Sequence, residues 1–350
     1  MNESLERIII RKALGQQALE QHAKGDISNK AFADYIPEIT KLSEAYNFPE
    51  KKLQTALNQE LALKAYLLYF LPINQFKLQS LLQRVSFPGD KIIRVLDFGC
   101  GPGTGSLAAI ETFKQKLEIN LFDISGKASQ FAKELIKEFS PGTKANLKEE
   151  NWKKEKYDLI IAANSLNEIS DPEITTRDLL ASLEESGVLV ILEPALKIKT
   201  RKAMELRDFI LNQDKTLTVL FPCTRNDACP MLKEDDWCHG SLTWKGTKLV
   251  NQIDNITGFN KHRLKYSAFI FQRKASLLDG YRVVNIPEKD KTGFTSKLCG
   301  KDLYGFVKLP KRNKNEDNRL FEKGDLWDRV VVSEEIQENA ISKTAQVEIA

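Results

Sequence analysis

Two hydrophobic rhythms divide this chain. Up to about residue 85 the apolar positions recur at helical spacing. The strongest stretch is LQTALNQELALKAYLLYFLP, where Leu61, Leu63, Tyr66, Leu67 and Phe70 form a broad apolar face and Pro72 is expected to end the helix. From about residue 92, short apolar runs alternate with amphipathic stretches. IIRVLDFG, LEINLFDIS, YDLIIAANSL and GVLVILEP read as strands; SLAAIETFKQ, SGKASQFAKELIKEFS and TTRDLLASLEE read as the helices between them. Strands and helices alternating at this spacing imply an α/β fold with a doubly wound, mostly parallel sheet.

After Thr200 a helix, KAMELRDFILN, leads into a cysteine-bearing segment, and KYSAFIFQR resumes strand character. Beyond residue 276 the pattern breaks into short strands punctuated by Gly and Pro: YRVVNIP, KTGFTSKLCG and DLYGFVKLP, followed by a polar tail. The expected organisation is a helical N-terminal domain over 1–85 and an α/β domain over 86–275 with a cysteine-rich insertion at 214–245. A β-rich C-terminal module and tail over 276–350 completes it.

Composition narrows the setting. The net charge of +4 is mild and compatible with an acidic partner such as RNA without requiring one. No apolar run reaches the 18 residues of a membrane span. The start, MNESLERIIIRKALG, lacks the layout of a signal peptide, and Glu3 and Glu6 argue against a transit peptide. A cytosolic setting is expected, where thiols stay reduced and five cysteines favour metal binding or burial over disulfides.

The first chemical motif is VLDFGCGPGTGSLAA. A strand ends at Asp97, and Gly99, Gly101, Gly103 and Gly105 crowd the turn before a helix. Glycines let the backbone approach a ligand, and the helix N-terminus offers free N–H groups. Two carboxylates favour S-adenosylmethionine over a dinucleotide. Asp97 can meet the ligand's cationic amino group, and Asp123, closing the second strand, can accept both ribose hydroxyls. The strand YDLIIAANSL runs on into ANSLNEI, which puts Asn164, Asn167 and Glu168 where an acceptor would approach. Methyl transfer from a sulfonium needs a positioned nucleophile more than an acid or base. The chain carries no NPPY or DPPY tetrapeptide, and turn-forming Asn at a strand end is the alternative reading of those three residues.

PCTRNDACPMLKEDDWCH holds Cys223, Cys229 and Cys238; Cys299 follows in the β-rich part, and Cys100 in the glycine loop reads as a small filler. No tight C-x₂₋₄-C knuckle occurs, so the spacing leaves an iron–sulfur cluster, a zinc site (with His239 as a fourth ligand) and buried structural thiols all open.

Together AYLLYFLP, VLDFGCGPGTG, NSLNEI, ILEPA, PCTRNDACPMLKEDDWCHGS, KYSAFIF and a late GDLW resemble the mitochondrial and bacterial small-ribosomal-subunit methyltransferase-like proteins, from about residue 60 to 330. The resemblance implies a class I S-adenosylmethionine-dependent methyltransferase core and a [4Fe–4S] cluster held at Cys223, Cys229, Cys238 and Cys299. It also implies association with the small ribosomal subunit or its precursor, close to 16S-type rRNA. Because no leading targeting segment is read, a bacterial cytoplasmic protein, monomeric when free, is expected. GSLTWKG stands where family members more often carry an FSQR-like string, which bears on local rRNA contacts. KHRLK at 261–265 and KLPKRNK at 308–314 are the basic stretches placed to neutralise phosphates, with Tyr266 and Tyr304 nearby. The implied activity is methyl transfer to small-subunit rRNA. A non-catalytic assembly factor, and less so a zinc-stapled protein methyltransferase, are the alternatives.

Overall fold

The computed structural model describes residues 1–47, 56–284, 288–289, 293–301, 303–310 and 329–330. The KRNK end of the 308–314 stretch, the GDLW at 324–327 and the polar tail therefore lie outside the described residues. The chain divides into two compact units: Met1–Leu192 with Thr243–Leu264, and Glu193–Leu242 with the part from Lys265 onward.

The first unit opens with four helices, α1 (Glu3–Leu14), α2 (Gln16–Lys24), α3 (Tyr35–Asn47) and α4 (Glu60–Leu82). The sheet region follows as β1 (Ile93–Phe98), α5 (Thr104–Thr112), β2 (Leu117–Phe122), α6 (Gly126–Phe139), β3 (Lys144–Leu147), β4 (Tyr157–Ala163), α7 (Pro172–Ala181) and β5 (Leu183–Glu193). Its strands run in the order β3-β2-β1-β4-β5. All four pairings are parallel, with Asp97 of β1 beside Leu121 of β2 and Ile161 of β4. β1 and β4 are buried on both faces, which explains their continuous apolar runs. Parallel strands fed by helices in this order form the Rossmann-like core of class I methyltransferases.

Pro72 does not end α4. The helix continues ten residues beyond it, to Leu82, as a correction to the sequence reading. Proline removes only the bond that its missing N–H would make to Leu68. α4 is mostly apolar and buried along most of its length, packing against α1, α3, α5 and a later helix, so tertiary burial outweighs that one lost bond.

The second unit contains α8 (Lys197–Gln213), β6 (Leu217–Phe221) and β7 (Gly240–Thr243). The chain then makes an excursion into the first unit as α9 (Lys248–Thr257) before β8 (Arg263–Arg273). β6 pairs antiparallel with β8, and β7 also pairs with β8. A separate antiparallel sheet takes β9 (Tyr281–Val283), β10 (Glu288–Lys289), β11 (Gly293–Gly300), β12 (Tyr304–Pro310) and β13 (Arg329–Val330), in the order β10-β11-β9-β13 with β12 also on β11. Its register sets Cys299 beside Arg282 on one neighbour and Tyr304 on the other.

Candidate functional site

The turn after β1 is shaped by contacts that only glycine permits. Gly99 has φ +65°, and a Cβ there would overlap the Ser165 Cβ. Gly105 has no room either, since its Cβ would come within 2.5 Å of Asp97 Oδ1. The N–H groups of Gly99 and Cys100 both donate to the Phe122 carbonyl, at 2.8 and 3.0 Å. The loop is thereby pinned to the end of β2 before any ligand arrives.

Both expected carboxylates face this loop. Asp97 is 1% exposed, and its Oδ2 accepts from the Ser106 N–H and hydroxyl, each at 2.7 Å. Burial pushes its pKa up to about 7; the Ser106 hydrogen bonds oppose that shift and the nearby Asp123 adds to it. Asp123 accepts from the Gly101 N–H through Oδ2 and the Ser125 N–H through Oδ1, both at 2.7 Å. Burial raises its pKa too, against those two backbone bonds.

A cavity with about 960 Å³ of empty space, open to solvent, joins these groups; Asp97, Gly99, Gly101, Asp123, Asn164 and Glu168 all line it. Asn164 closes β4 with φ +57°, its N–H bonded to the Leu192 carbonyl at 2.7 Å. Left-handed backbone at a non-glycine residue is costly and is enriched at functional turns. Ser165 Oγ donates to the Phe98 carbonyl at 3.1 Å, tying this turn to the glycine loop. Among the described residues the wall takes Asn164 and Glu168 from this turn, but neither Asn167 nor Gly103.

Sequence reasoning missed the wall supplied by the N-terminal helices: Tyr46, Leu57, Tyr66 and Asn74. Tyr66 OH lies 3.5 Å from Thr104 Oγ1 and accepts from Asn74 Nδ2 at 3.3 Å. Burial raises the pKa of both tyrosines, and the Glu168 charge adds to it.

The profile of the Rsm22 family, described as mitochondrial small ribosomal subunit Rsm22, matches residues 61–315. The chain belongs to the Rsm22 family. No curated protein matches the sequence. Among solved structures, a Methanococcus maripaludis protein described as a candidate S-adenosyl-L-methionine-dependent methyltransferase is 19% identical; the match covers 36% of this chain and 57% of that one, at a TM-score of 0.30. The [4+2]-cyclase SpnF is 15% identical over 57% and 81% of the two chains, at 0.37. The plantazolicin methyltransferase BpumL, with SAH bound, is 14% identical over 77% and 98%, at 0.35. At these scores the fold assignment rests on the strand order and the family match.

In this Rsm22-family chain the second unit holds the cysteine segment. One face of α8 grips it through residues spaced i, i+4, i+7 and i+11. Lys197 pairs with Asp235 at 2.6 Å, and Arg201 donates to the carbonyls of Leu232, Glu234 and Asp236. Met204 Sδ accepts the Cys238 N–H, and Asp208 accepts the Cys229 N–H at 2.8 Å. Beside them Arg207, 1% exposed, donates to the Arg225 and Asp227 carbonyls between Cys223 and Cys229.

Cys299 is brought to the same loop. Arg225 donates to the Gly300 carbonyl at 2.9 Å, and Arg282, the register partner of Cys299, donates to the Pro222 carbonyl. Burial lifts the Cys229 thiol to about 11, with the Cys223 charge adding to it. Cys299 is lifted to about 12 by burial, then by Cys223 and Cys229. Three thiols therefore influence one another, while no set of three His, Cys, Asp or Glu among the described residues is closed to metal-ligating geometry. All five cysteines are free, and Cys100 is buried in the glycine loop. Four buried polar atoms at this place have no protein partner: Arg207 Nε, Thr224 Oγ1, Trp237 Nε1 and His239 Nδ1.

Proposed function

We propose that this chain is an S-adenosylmethionine-dependent methyltransferase of the small ribosomal subunit, acting on its rRNA. The observation that carries the reading is the pair of buried carboxylates, Asp97 and Asp123, set around a glycine loop at one end of an open cavity. Asp123 is offered to the ribose hydroxyls and Asp97 to the amino group, whose positive charge would draw the proton off a carboxyl poised near neutrality. Bound there, the cofactor supplies an electrophilic methyl group. Asn164 and Glu168, on the turn locked to the loop through Ser165, would position the acceptor for in-line attack, with Asn167, between them in the chain, the third candidate. The small-subunit partner comes from the family's description.

The cysteine segment extends the proposal to a [4Fe–4S] cluster held by Cys223, Cys229, Cys238 and Cys299, with zinc as the alternative metal. The donor chemistry fits: three mutually coupled thiols, a buried guanidinium beside two of them, and unpartnered donors that sulfur could accept from. A cluster there would cross-link the 222–239 loop to β11. The described residues contain no helix long and apolar enough to cross a membrane. A bacterial cytoplasmic setting, 16S-type rRNA, a monomeric state and the three-part domain division belong to this same proposal.

A second reading, a non-catalytic assembly factor, draws on the acceptor side of the cavity. Tyr46 and Tyr66 are held protonated by burial, so neither can serve as a base. Calorimetric titration with S-adenosylmethionine tests the cofactor site: wild type should bind and Asp123→Ala should not. Equal binding by both would remove the basis of the methyltransferase reading.

A further inference from the structure

Beside the cofactor cavity, the first unit gathers several cations around a stacked aromatic pair. Phe76 on α4 stacks on Trp244, with ring centroids 5.6 Å apart. The Trp244 N–H donates to the His262 carbonyl at 2.9 Å. These two contacts bring three short stretches together, Phe76–Lys77, Trp244–Lys245 and Lys261–His262. Over Thr243–Leu264 the sequence carries Lys245, Lys248, Lys261 and Arg263 against a single acid, Asp254. That acid is already engaged, accepting from the Tyr69 hydroxyl and the Lys261 backbone N–H.

Lys77 is the unusual member. It is half-buried, and its ammonium donates to the neutral amide of Asn74 at 3.3 Å. Among the described residues no carboxylate pairs with it, and the charge that acts on it is another cation, Lys261. Burial lowers the Lys77 pKa to about 8 with Lys261 adding to the shift, and burial lowers Lys261 as well, against Asp254. A partly desolvated cation with no paired carboxylate, as Lys77 is among the described residues, is costly to keep. An anion from outside removes that cost. Lys77 is linked to the cofactor cavity through Asn74, which lines the cavity and bonds to Tyr66.

We propose that Lys77 and Lys261, flanked by Lys245 and His262, form a binding site for the phosphodiester backbone of the RNA strand presented to the cofactor cavity. This rests on the rRNA reading above and adds the place where the strand is held. The charged patch suits a backbone running past the cavity, and Asn74 couples the phosphate grip to the wall that the acceptor enters.

The test is fluorescence anisotropy of a labelled single-stranded RNA oligonucleotide taken from small-subunit rRNA, repeated across salt concentrations with the full chain. Lys77→Gln with Lys261→Gln should weaken binding about tenfold or more and flatten the log–log salt slope by about 1.4, at roughly 0.7 per phosphate contact on a single strand. Lys77→Arg with Lys261→Arg should keep the wild-type slope. Lys133→Gln with Lys137→Gln, exposed on α6, removes the same charge elsewhere and should also keep it. If the glutamine pair lowers the melting temperature, Lys245→Gln with Lys261→Gln on the loop gives the same reading. Equal slopes for the site and α6 pairs would overturn the proposal. RNA affinity unchanged while binding to intact particles falls would assign this face to a ribosomal protein and also overturn it. Wild type that binds no RNA would overturn both this site and the rRNA reading.

Discussion

Asp97 and Ser106 are joined twice: one carboxylate oxygen takes both the backbone N–H and the hydroxyl of the serine, at 2.7 Å each. Even so, burial leaves the acid with a pKa near 7 rather than its ordinary 3.8. A carboxyl raised on folding favours the protonated folded form. Its contribution to stability is complete below about pH 4 and is lost as pH rises through 7. A cationic ligand reverses the preference by favouring the ionised form. S-adenosylmethionine affinity is therefore expected to rise by up to about tenfold per pH unit below 7 and to level off above it. Calorimetry across pH 5–8 checks this, and Asp97→Asn should abolish the slope. A flat wild-type profile would separate Asp97 from the ligand's amino group.

Gly99 and Ser165 define the clearance between the glycine loop and the acceptor turn. Gly99→Ala combines a steric overlap with a strained φ of +65°, and should cost about 2–4 kcal/mol together with most cofactor affinity. Adding Ser165→Gly removes the overlap but not the strain, so the double variant should recover part of the loss. Thermal melts and titrations of both variants test this. No recovery would mean that the overlap is not what limits the site.

Arg207 holds the cysteine loop by two of its backbone carbonyls. Arg207→Leu leaves those carbonyls buried and unmet, for an expected loss of about 2–4 kcal/mol. The loosened loop should also make Cys229 alkylate faster, by tenfold or more at pH 8, as burial no longer suppresses its thiolate. Peptide mapping after timed alkylation measures this. An unchanged Cys229 rate would place the loop's order elsewhere.

For the metal, anaerobically purified protein is expected to be brown and to hold about four irons and four labile sulfides per chain. Cys299→Ser should lose most of that iron while leaving S-adenosylmethionine binding intact, because its site lies in the other unit. Colourless protein with stoichiometric zinc would replace the cluster by the alternative metal.

The features legible in the sequence were those encoded locally. Asp97, the glycine turn and Asp123 lie within one strand–turn–helix–strand unit, so residue types and short spacings suffice to read them. Tyr46, Tyr66 and Asn74 reach the cavity from helices remote in sequence, and an apolar periodicity cannot distinguish a core tyrosine from a cavity wall. Pro72 misled because a local rule about hydrogen bonding met a helix buried along most of its length. β3, only KANL and half-exposed, lacks the apolar run that marks a strand. On α8 the face Lys197, Arg201, Met204 and Asp208 starts before the helix read from KAMELRDFILN, and its partners are mostly backbone groups, which leave no signature in composition.

The activity proposed for this chain is methyl transfer to small-subunit rRNA. The direct measurement incubates the protein with S-adenosylmethionine labelled in its methyl group and isolated small-subunit particles, then counts label in the rRNA. Label at one mapped nucleotide, absent with Asp123→Ala, is the expected result. Cofactor-bound wild type that transfers no label to mature or precursor particles, or label that persists with Asp123→Ala, would contradict it.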